Sequence, residues 1–260
     1  MLGFENHIQN EVQITVIIPI FQEAKIIKNS LNSIYNILDN SDYRFEIIVA
    51  DDGSTDHSDR IVSSLKTEFR NLRLVRHPVN MGRGFILEKA IKQSRGNIIS
   101  YIDADLQICP EAIMRLARCI ENGFDIAIGS KHHPQSELSY SRWRRVASLG
   151  YNKIAKFLLN VDIYDFQCGV KAFRRTIILE LLKHLTCTRW SWDTELIFKA
   201  LLSGYRLAEI PVIVKSTLDK KSSVHIISIL NMGRHLFRLW FWSKTKIKPL
   251  TKNKLGSKLQ

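Results

Sequence analysis

The sequence predicts a doubly wound α/β fold, in which a mostly parallel sheet is covered by helices on both faces. Apolar, β-branched runs recur along the chain and alternate with longer segments that have helical periodicity. Since these runs are continuously apolar, with no polar residue at every second position, the strands are expected to be buried on both faces, as in parallel sheets. A strand–helix alternation of this kind is typical of α/β architectures.

Each predicted strand is followed by a segment with helix-forming signals. Strands are expected at 14–19, 45–51, 72–77, 97–103 and 124–130. Helices are expected at 23–38, after the N-cap residues Ser54, Thr55 and Asp56, at 83–94, and at 110–121, where Pro110 and Glu111 form a favoured first turn. The second half of the chain is less regular, with a basic helix at 141–159, an apolar stretch at CGVKAF and a helix at 193–203.

Length and composition exclude several classes of protein. The 260 residues, of which 45% are hydrophobic, suit one large globular domain and exclude a disordered or fibrous chain. The four cysteines form no CxxC pair, which argues against a zinc ribbon or a disulfide framework and fits a reducing compartment. The N-terminal residues lack the apolar core of a secretory signal. The sequence contains no run of about 18 apolar residues, so no spanning helix is expected.

The net charge of +13 is concentrated towards the C-terminus. From Lys215 to Gln260 there are eleven Lys and Arg residues and one acid, Asp219, whereas the preceding residues are close to neutral. A basic tail is compatible with a nucleic acid, an anionic membrane surface or a simple gain in solubility. Charge alone leaves these three possibilities open.

Acidic residues follow three of the predicted strands. Glu23 lies after the first strand, Asp51 and Asp52 end the second, and Asp103 and Asp105 end the fourth. Ligands of doubly wound sheets bind beyond the carboxyl ends of the strands, and carboxylates that converge there repel one another unless a cation lies between them. The D-x-D pair therefore suits Mg²⁺ or Mn²⁺, which would clamp a diphosphate. The plainer alternative is a solvated, helix-capping pair.

Two strand ends suggest contacts with a nucleotide base. In Asp51-Asp52-Gly53, an Asp could accept a hydrogen bond from a ring N–H, and Gly53 would allow close approach of the backbone, although an ordinary turn explains the same residues. Phe21 after the first strand could stack on a base or simply pack in its loop. The segment NMGRG lacks the third glycine of a dinucleotide fingerprint, so NAD(P) is not expected.

Several motifs across residues 12–225 share an order and spacing with a known family. They are PIFQEA, ADDGSTD, NMGRG, DADLQICPE, DIAIGSK, QCGVKAF, DTELIFKALLSGYRLAEIPV and KSSV. The chain thereby resembles family 2 glycosyltransferases, which have a GT-A, Rossmann-like fold. Within that family it is most similar to the branch of dolichyl-phosphate mannosyltransferases and polyprenyl-phosphate glycosyltransferases.

The resemblance implies roles for individual residues. The nucleotide-sugar donor would be bound by Pro19, Phe21, Glu23, Ala50, Asp52, Asp103, Ala104 and Lys221. The metal, Mg²⁺ or Mn²⁺, would be bound by Asp103, Asp105 and Gln107. The acceptor phosphate would be bound by Lys131 and Arg145, and the catalytic carboxylates would be Asp105 and Asp165. Phe21-Gln22 stands where the family usually has Tyr-Asn, so stacking is retained and a hydroxyl contact is lost.

The implied reaction is metal-dependent, inverting hexosyl transfer. A hexose would move from a donor of the GDP-mannose or UDP-glucose type to a polyprenyl or dolichyl phosphate, which is already ionised and needs little help from a base. The alternative is a sugar hydroxyl in the synthesis of a surface polysaccharide or glycolipid, which would need a base such as Asp165 or Asp193. A nucleic-acid-binding protein is the third possibility. It is remote because acidic residues line the expected ligand edge.

The chain divides into an extension at 1–12, a catalytic GT-A domain at 13–223 and a basic segment at 224–260. The stretch from Val224 to Trp242 is apolar with interspersed Arg, ends in aromatic residues and is followed by three lysines. This composition predicts an amphipathic, membrane-associating helix, with core packing as the alternative. The resemblance therefore implies a peripheral enzyme on the cytoplasmic face of a membrane, and the oligomeric state stays open.

Overall fold

The computed structural model describes residues 11–139, 142–215 and 226–246, and for 142–148, 226–231 and 245–246 it describes the backbone alone. A seven-stranded sheet has the order β3-β2-β1-β4-β7-β5-β8, and β6 pairs with β9. The strands are β1 (Ile14–Ile20), β2 (Phe45–Asp52), β3 (Leu72–His77), β4 (Ile98–Ile102), β5 (Ile126–Ser130), β6 (Glu137–Leu138), β7 (Val170–Arg174), β8 (Leu207–Pro211) and β9 (Ile213–Val214). All neighbours in the large sheet are parallel except β7, which is antiparallel to both β4 and β5.

Helices cover both faces of this sheet. They are α1 (Ile27–Asp39), α2 (Ser58–Leu65), α3 (Arg83–Gln93), α4 (Ala112–Glu121), α5 (Arg142–Leu159), α6 (Arg175–Leu182), α7 (Trp192–Leu202) and α8 (Ile226–Lys246). One core lies between the sheet and α1, α2 and α4, and the other lies between the sheet and the remaining five helices. The predicted α/β class, with a mostly parallel sheet and helices on both faces, is confirmed.

Alternate residues of the central strands serve these two cores. Val16 and Ile18 of β1 face the first core, whereas Ile17 between them faces the second. A strand buried in this way has no solvent face, which explains its continuously apolar sequence. Among the described helices, none is long and apolar enough to cross a membrane.

The first helix begins later than its sequence pattern indicates, at Ile27 instead of Glu23. The intervening residues form a loop in which Gln22 has a φ of +62°. Side chains of the β2–α2 loop and of the first residue of α2 accept hydrogen bonds from the backbone N–H groups of this loop. The pairs are Gln22 N to Ser54 Oγ (3.0 Å), Glu23 N to Ser58 Oγ (3.1 Å) and Ala24 N to Asp56 Oδ2 (2.9 Å). Ser54 and Asp56 are expected as N-cap residues of α2, but their side chains bind the backbone of the first loop. The helix α2 itself begins at Ser58.

The apolar stretch CGVKAF forms β7, which inserts between β4 and β5 with the opposite direction. Two further elements, α6 and β8, lie in regions for which the sequence analysis made no assignment. Their hydrophobic patterns are short and irregular, so their structure depends on packing against the neighbouring strands more than on local sequence.

The C-terminal helix α8 packs on the second core through one side. Leu236 and Leu239 are buried, and Trp242 packs against the same core. His235 Nε2 lies 3.6 Å from the carboxylate of Glu195, a buried residue of α7. The described side chains of α8 thus pack on the same core as α3, α5, α6 and α7.

Glu195 connects α8 to the loop before α7. Its carboxylate accepts hydrogen bonds from the backbone N–H groups of Thr186 (3.1 Å) and Cys187 (2.8 Å) and pairs with Lys199 at 2.7 Å. Burial alone would raise the pKa of Glu195, but His235, Lys199 and the Cys187 N–H outweigh it and lower the pKa to about 2. The ionised carboxylate is thus a structural part of the fold.

Replacing Glu195 with Gln is expected to lower the free energy of unfolding by about 3 kcal/mol at pH 7. The folded-state pKa of about 2 lies below the ordinary value of 4.5, so ionisation stabilises the fold. This contribution is complete above about pH 5 and is lost as the pH falls towards 2. Urea unfolding of both proteins between pH 3 and pH 7 measures it.

The matched control is Glu180→Gln, since Glu180 pairs with Lys183 on the exposed side of α6 and such surface pairs contribute little. A difference between wild type and Glu195→Gln that stayed the same at every pH would contradict the assignment to an ionised carboxylate.

Candidate active site

The acidic residues expected at the ligand edge lie on neighbouring strands. β2, β1 and β4 are adjacent and parallel, so their carboxyl ends meet at the same edge. Because β7 runs in the opposite direction, its first residues also lie at this edge, next to the end of β4. The antiparallel strand thus brings the segment before Val170, which includes Asp165 and Gly169, to the D-x-D motif.

Asp103 lies directly after β4 and is held in one orientation. Its backbone N–H donates to the Gly169 carbonyl oxygen at 3.1 Å. A Cβ atom on Gly169 would lie 2.1 Å from Asp103 Oδ2, so any larger residue at this position would require the carboxylate to shift. The other oxygen, Oδ1, accepts hydrogen bonds from Arg83 at 2.7 and 3.2 Å. The side chain of Asp103 nevertheless remains 45% exposed and accessible to a ligand.

The loop that carries Asp105 and Gln107 is tightly turned. Ser30 of α1 donates to the Ala104 carbonyl oxygen at 2.5 Å, and Asp105 Oδ1 accepts a hydrogen bond from the Gln107 N–H at 3.3 Å. Leu106 between them has a φ of +45°, a conformation that few residues other than glycine adopt. Strain of this kind is common at functional sites, where the surrounding structure maintains it.

A cleft opens between this loop and the start of β7. Its lining includes Asp103, Asp105, Gln107, Lys131, Gln167 and Gly169. The three predicted metal ligands and the predicted acceptor-binding Lys131 therefore share one cleft.

The oxygen atoms of this lining fit a hard divalent cation. Mg²⁺ is commonly bound by one or two carboxylates together with substrate phosphates, and Asp103, Asp105 and the Gln107 amide supply ligands of that type. In the part of the chain that the structure describes, no group of three or more His, Cys, Asp or Glu side chains could hold a metal alone. These residues thus fit a hard divalent cation and would supply part of its coordination shell.

Asp52 organises the loop that follows β3. Its buried carboxylate accepts hydrogen bonds from the backbone N–H groups of Met81 (2.9 Å) and Gly82 (2.7 Å). Gly53 lies against the same loop, since a Cβ atom there would come within 2.8 Å of the carbonyl carbon of Val79, and its φ is +79°. Any contact between Asp52 and a base would be made in addition to these two bonds.

The other residues expected to contact the nucleotide lie at the ends of β1, β2 and β4. Pro19 and Ala50 are partners in the register of β1 and β2, and Ala50 and Ala104 are buried. Phe21 is 46% exposed, which leaves its ring accessible for stacking. Glu23 is half-buried in the loop that Ser58 holds.

A network of buried charged side chains is connected to the D-x-D motif through Arg83. Asp193 at the start of α7 accepts hydrogen bonds from Lys171 (2.8 Å), from Arg83 (2.5 Å) and from the Tyr101 hydroxyl. Burial would raise the pKa of Asp193, but Lys171 and Arg83 outweigh it and hold the pKa below its ordinary value. Arg83 bridges Asp193 and Asp103, and these carboxylates raise the pKa of its guanidinium despite burial.

Sequence reasoning missed Arg83, Tyr101 and Lys171 as members of the site. A signal existed for Lys171, because a lysine within an apolar strand can be buried only with a partner. The partner itself could not be identified from the sequence, since Asp193 lies on a different element.

Asp165 lies beside Lys131, one of the residues that line the cleft. Its side chain is fully buried. Oδ2 accepts a hydrogen bond from the Lys131 N–H at 3.1 Å and lies 3.9 Å from Lys131 Nζ, whereas Oδ1 accepts hydrogen bonds from the Gln167 N–H (3.0 Å) and from Asn152 Nδ2 (3.4 Å). These contacts engage both carboxylate oxygens of Asp165, and one of the partners is Lys131, which lines the cleft.

Glu209 on β8 fixes the loop that contains Asp165, a contact that no sequence motif indicates. Its carboxylate accepts hydrogen bonds from the backbone N–H groups of Tyr164 (2.9 and 3.1 Å) and Asp165 (3.1 Å). Burial raises the pKa of Glu209 to about 6, with a further contribution from the charge of Asp165, although the two backbone groups lower it.

Two predicted residues have no described side chain. Arg145 lies in the first turns of α5, where the structure describes the backbone alone, and Lys221 lies outside the described residues. Their predicted roles in binding the acceptor phosphate and the donor remain predictions.

Comparisons with known proteins find a matching family model and several relatives. The family model for glycosyl transferase family 2 matches residues 15–182. Glycosyltransferase AglD of Haloferax volcanii is 33% identical over 238 residues, which cover 90% of this chain but 38% of AglD, so this chain spans well under half of that relative. Polyprenol monophosphomannose synthase of Mycolicibacterium smegmatis is 26% identical, with 87% of this chain and 85% of that protein covered.

A solved structure shares the fold. Glucosyl-3-phosphoglycerate synthase from Mycobacterium tuberculosis, in complex with Mn²⁺, UDP and glucosyl-3-phosphoglycerate, superposes with a TM-score of 0.65 at 18% identity, covering 95% of this chain and 85% of that one. At this identity the likeness concerns the fold alone. Because the family model spans more than half of the chain and the sheet has the GT-A arrangement, the protein belongs to glycosyl transferase family 2.

Proposed function

We propose that this glycosyltransferase moves a hexose from a nucleotide-sugar donor to a polyprenyl or dolichyl phosphate, with inversion at the anomeric carbon. Relatives that this chain covers over most of their length are named for such acceptors. Among them are the mycobacterial polyprenol monophosphomannose synthase and human dolichyl-phosphate beta-glucosyltransferase, which is 27% identical, with 86% of this chain and 74% of that protein covered. These names include a mannose and a glucose product, so a donor of the GDP-mannose or UDP-glucose type is proposed.

The observation that carries the choice of acceptor is the state of the two candidate bases. Asp165 and Asp193 are both buried, and both are engaged with cationic side chains. A hydroxyl acceptor needs a base that can reach its proton. A phosphate monoester, whose second pKa is about 6, already presents an ionised oxygen at neutral pH. A phosphate acceptor therefore suits a site whose two candidate bases are buried and engaged with cations.

Each side of the cleft has its own task in this reaction. An acceptor phosphate oxygen attacks the anomeric carbon, the bond from that carbon to the donor diphosphate breaks, and the nucleoside diphosphate leaves with the bonding electrons. Asp103, Asp105 and Gln107 would hold Mg²⁺ or Mn²⁺, which when bound neutralises charge on the leaving diphosphate. Lys131, oriented by Asp165, and Arg145 would bind the acceptor phosphate, while Phe21 and Asp52 would lie towards the base and Lys221 towards the diphosphate.

The decisive experiment supplies the full chain with radiolabelled nucleotide sugars, Mn²⁺ and vesicles that contain polyprenyl phosphate. Label in the organic-extractable lipid is expected for one donor, and its identity names the sugar. Metal-dependent loss of donor without lipid label would instead favour a hydroxyl acceptor. A lipid product on vesicles would also fit action at a membrane surface, which we propose to be the cytoplasmic face.

Asp105→Asn is expected to reduce the transfer rate roughly 100- to 1000-fold, because it removes a charged ligand from the site where the leaving group develops charge. The rate at saturating donor, measured across a Mn²⁺ titration, tests this. Asp39→Asn at the end of α1 is the matched control, since Asp39 is exposed. Equal rates for Asp105→Asn and wild type would show that Asp105 has no role in the transfer reaction.

Gly169→Ala is expected to weaken the apparent affinity for Mn²⁺ about 10- to 100-fold, since the new methyl group displaces the Asp103 carboxylate. Mn²⁺ binding followed by electron paramagnetic resonance in the presence of the nucleoside diphosphate gives this value. Gly150→Ala on α5 is the control, because nothing lies within 4 Å of its Cβ position. An unchanged affinity would show that Asp103 does not hold the metal.

Lys131→Gln is expected to raise the KM for the lipid phosphate about tenfold or more and to leave the KM for the donor nearly unchanged, because charged hydrogen bonds to phosphate are strong and directional. Initial rates at varied acceptor and donor give both constants. Lys66→Gln, at an exposed position after α2, controls for the loss of a positive charge. A rise confined to the donor KM would overturn the assignment of Lys131 to the acceptor.

A further inference from the structure

We propose that α5 and α8 together form a surface through which this enzyme docks onto an anionic lipid bilayer. We call it the α5–α8 surface and define it by four apolar and five cationic residues, which are Ile154, Phe157, Phe237 and Phe241, and Lys153, Lys156, Arg234, Arg238 and Lys244. The proposal deepens the proposed function and rests on it, because a polyprenyl phosphate is presented from a membrane.

The outer side of α5 exposes large apolar groups that the fold does not use. Phe157 is 84% exposed and Ile154, one turn earlier, is 56% exposed. The inner side of the same helix is already packed, since Ala155 and Leu159 are buried in the second core. A phenylalanine this exposed gains nothing from the folded domain itself and is typical of an interaction surface.

The same division recurs on α8. Phe237 is 57% exposed and Phe241, one turn later, is 59% exposed, whereas Leu236 and Leu239 on the other side are buried. Arg234 and Arg238 are exposed at positions next to these rings. The whole of α8, from 226 to 246, contains no Asp or Glu. An aromatic stripe bordered by cations, on a helix without acids, fits the headgroup region of a membrane.

The two helices act as one surface because both are fixed to the same body. They pack against each other and cover the same face of the sheet, so their exposed sides both point away from that face. On α5, Lys153 and Lys156 are exposed beside the apolar pair, and Lys156 also pairs with Asp162. Apolar groups and positive charges are thus interleaved across both helices.

Charge identifies the occupant as an anionic bilayer. A second copy of this chain would bring five cations against five cations, and the repulsion would oppose self-association through this surface. An anionic membrane attracts each Lys and Arg near its surface while its interface accepts the aromatic rings. The two kinds of group therefore favour an anionic bilayer over a second copy of this chain.

Docking in this way would place the membrane near the acceptor side of the cleft. Asn152 on the inner side of α5 accepts a hydrogen bond from the Phe166 N–H at 3.0 Å and donates to Asp165, the residue that orients Lys131. The helix that would lie on the lipid surface is thus directly bonded to the loop that holds the acceptor-binding lysine. A lipid phosphate at the bilayer surface would then have a short path to Lys131.

Sedimentation with vesicles tests the proposal on the full chain. Wild type is expected to bind vesicles of phosphatidylcholine mixed with phosphatidylglycerol and to bind pure phosphatidylcholine at least tenfold more weakly. The double variants Ile154→Ser/Phe157→Ser and Phe237→Ser/Phe241→Ser should each lose about tenfold or more in affinity. Arg234→Gln/Arg238→Gln should lose affinity at low salt and resemble wild type at high salt, where charge is screened.

Matched controls separate docking from folding. Phe237→Leu/Phe241→Leu keeps the apolar character and should retain binding. Lys28→Gln/Lys66→Gln removes two exposed cations from the opposite face of the sheet and should bind as wild type does. Thermal unfolding of each variant identifies any that fails to fold, and such a variant is replaced by the single Phe157→Ser or Phe241→Ser.

The outcomes also distinguish this proposal from the proposed function. Vesicle binding without any lipid-linked sugar would overturn the function and support the surface. Transfer to a short, water-soluble polyprenyl phosphate without vesicle binding would overturn the surface and support the function. Binding that is equal in all variants, or a dimer in light scattering that the Phe→Ser variants dissociate, would overturn the proposal in favour of another membrane contact or of self-association.

Discussion

The carboxylate of Asp193, buried between Lys171 and Arg83, is the interaction on which the site depends. It joins three parts of the chain that are far apart in sequence, since Arg83 and Asp193 are separated by 110 residues. Through Arg83 it reaches Asp103, so the orientation of the D-x-D motif depends on the second half of the chain. A buried pair of this type gives little stability by itself, but the loss of one partner leaves a charge uncompensated, at about 3–5 kcal/mol.

The remaining loops at this edge are connected by hydrogen bonds from side chains of one loop to the backbone of another. Asp52 binds the loop after β3, Ser54 and Asp56 bind the loop after β1, and Asp165 binds the residue after β5. Each side chain satisfies backbone groups that a ligand-binding edge would otherwise leave unpaired. The loops at this edge are therefore held in place by the protein's own side chains, which suits a transfer reaction in which positioning and electrostatics carry most of the rate.

The helix α5 contacts the candidate site with one side and exposes apolar groups on the other. The inner side of α5 carries Asn152, which bonds to the loop of Asp165, and its outer side carries the exposed Phe157. The helix α8 has the same division, with Glu195 of α7 bound to its inner His235 and with Phe237 exposed. Because both helices are tied to the catalytic body, contact with a surface through them would fix the direction in which the cleft opens.

The sequence by itself determined the class of the fold, most strand positions and the edge at which the acids gather. These depend on local patterns, namely continuous apolar runs and the residues that end them. The direction of β7, the late start of α1 and the partners of Lys171 were decided only by the tertiary structure, because each depends on residues far away in the chain. The same holds for Asp165, whose burial beside Lys131 follows from the packing of α5 and β8 around its loop.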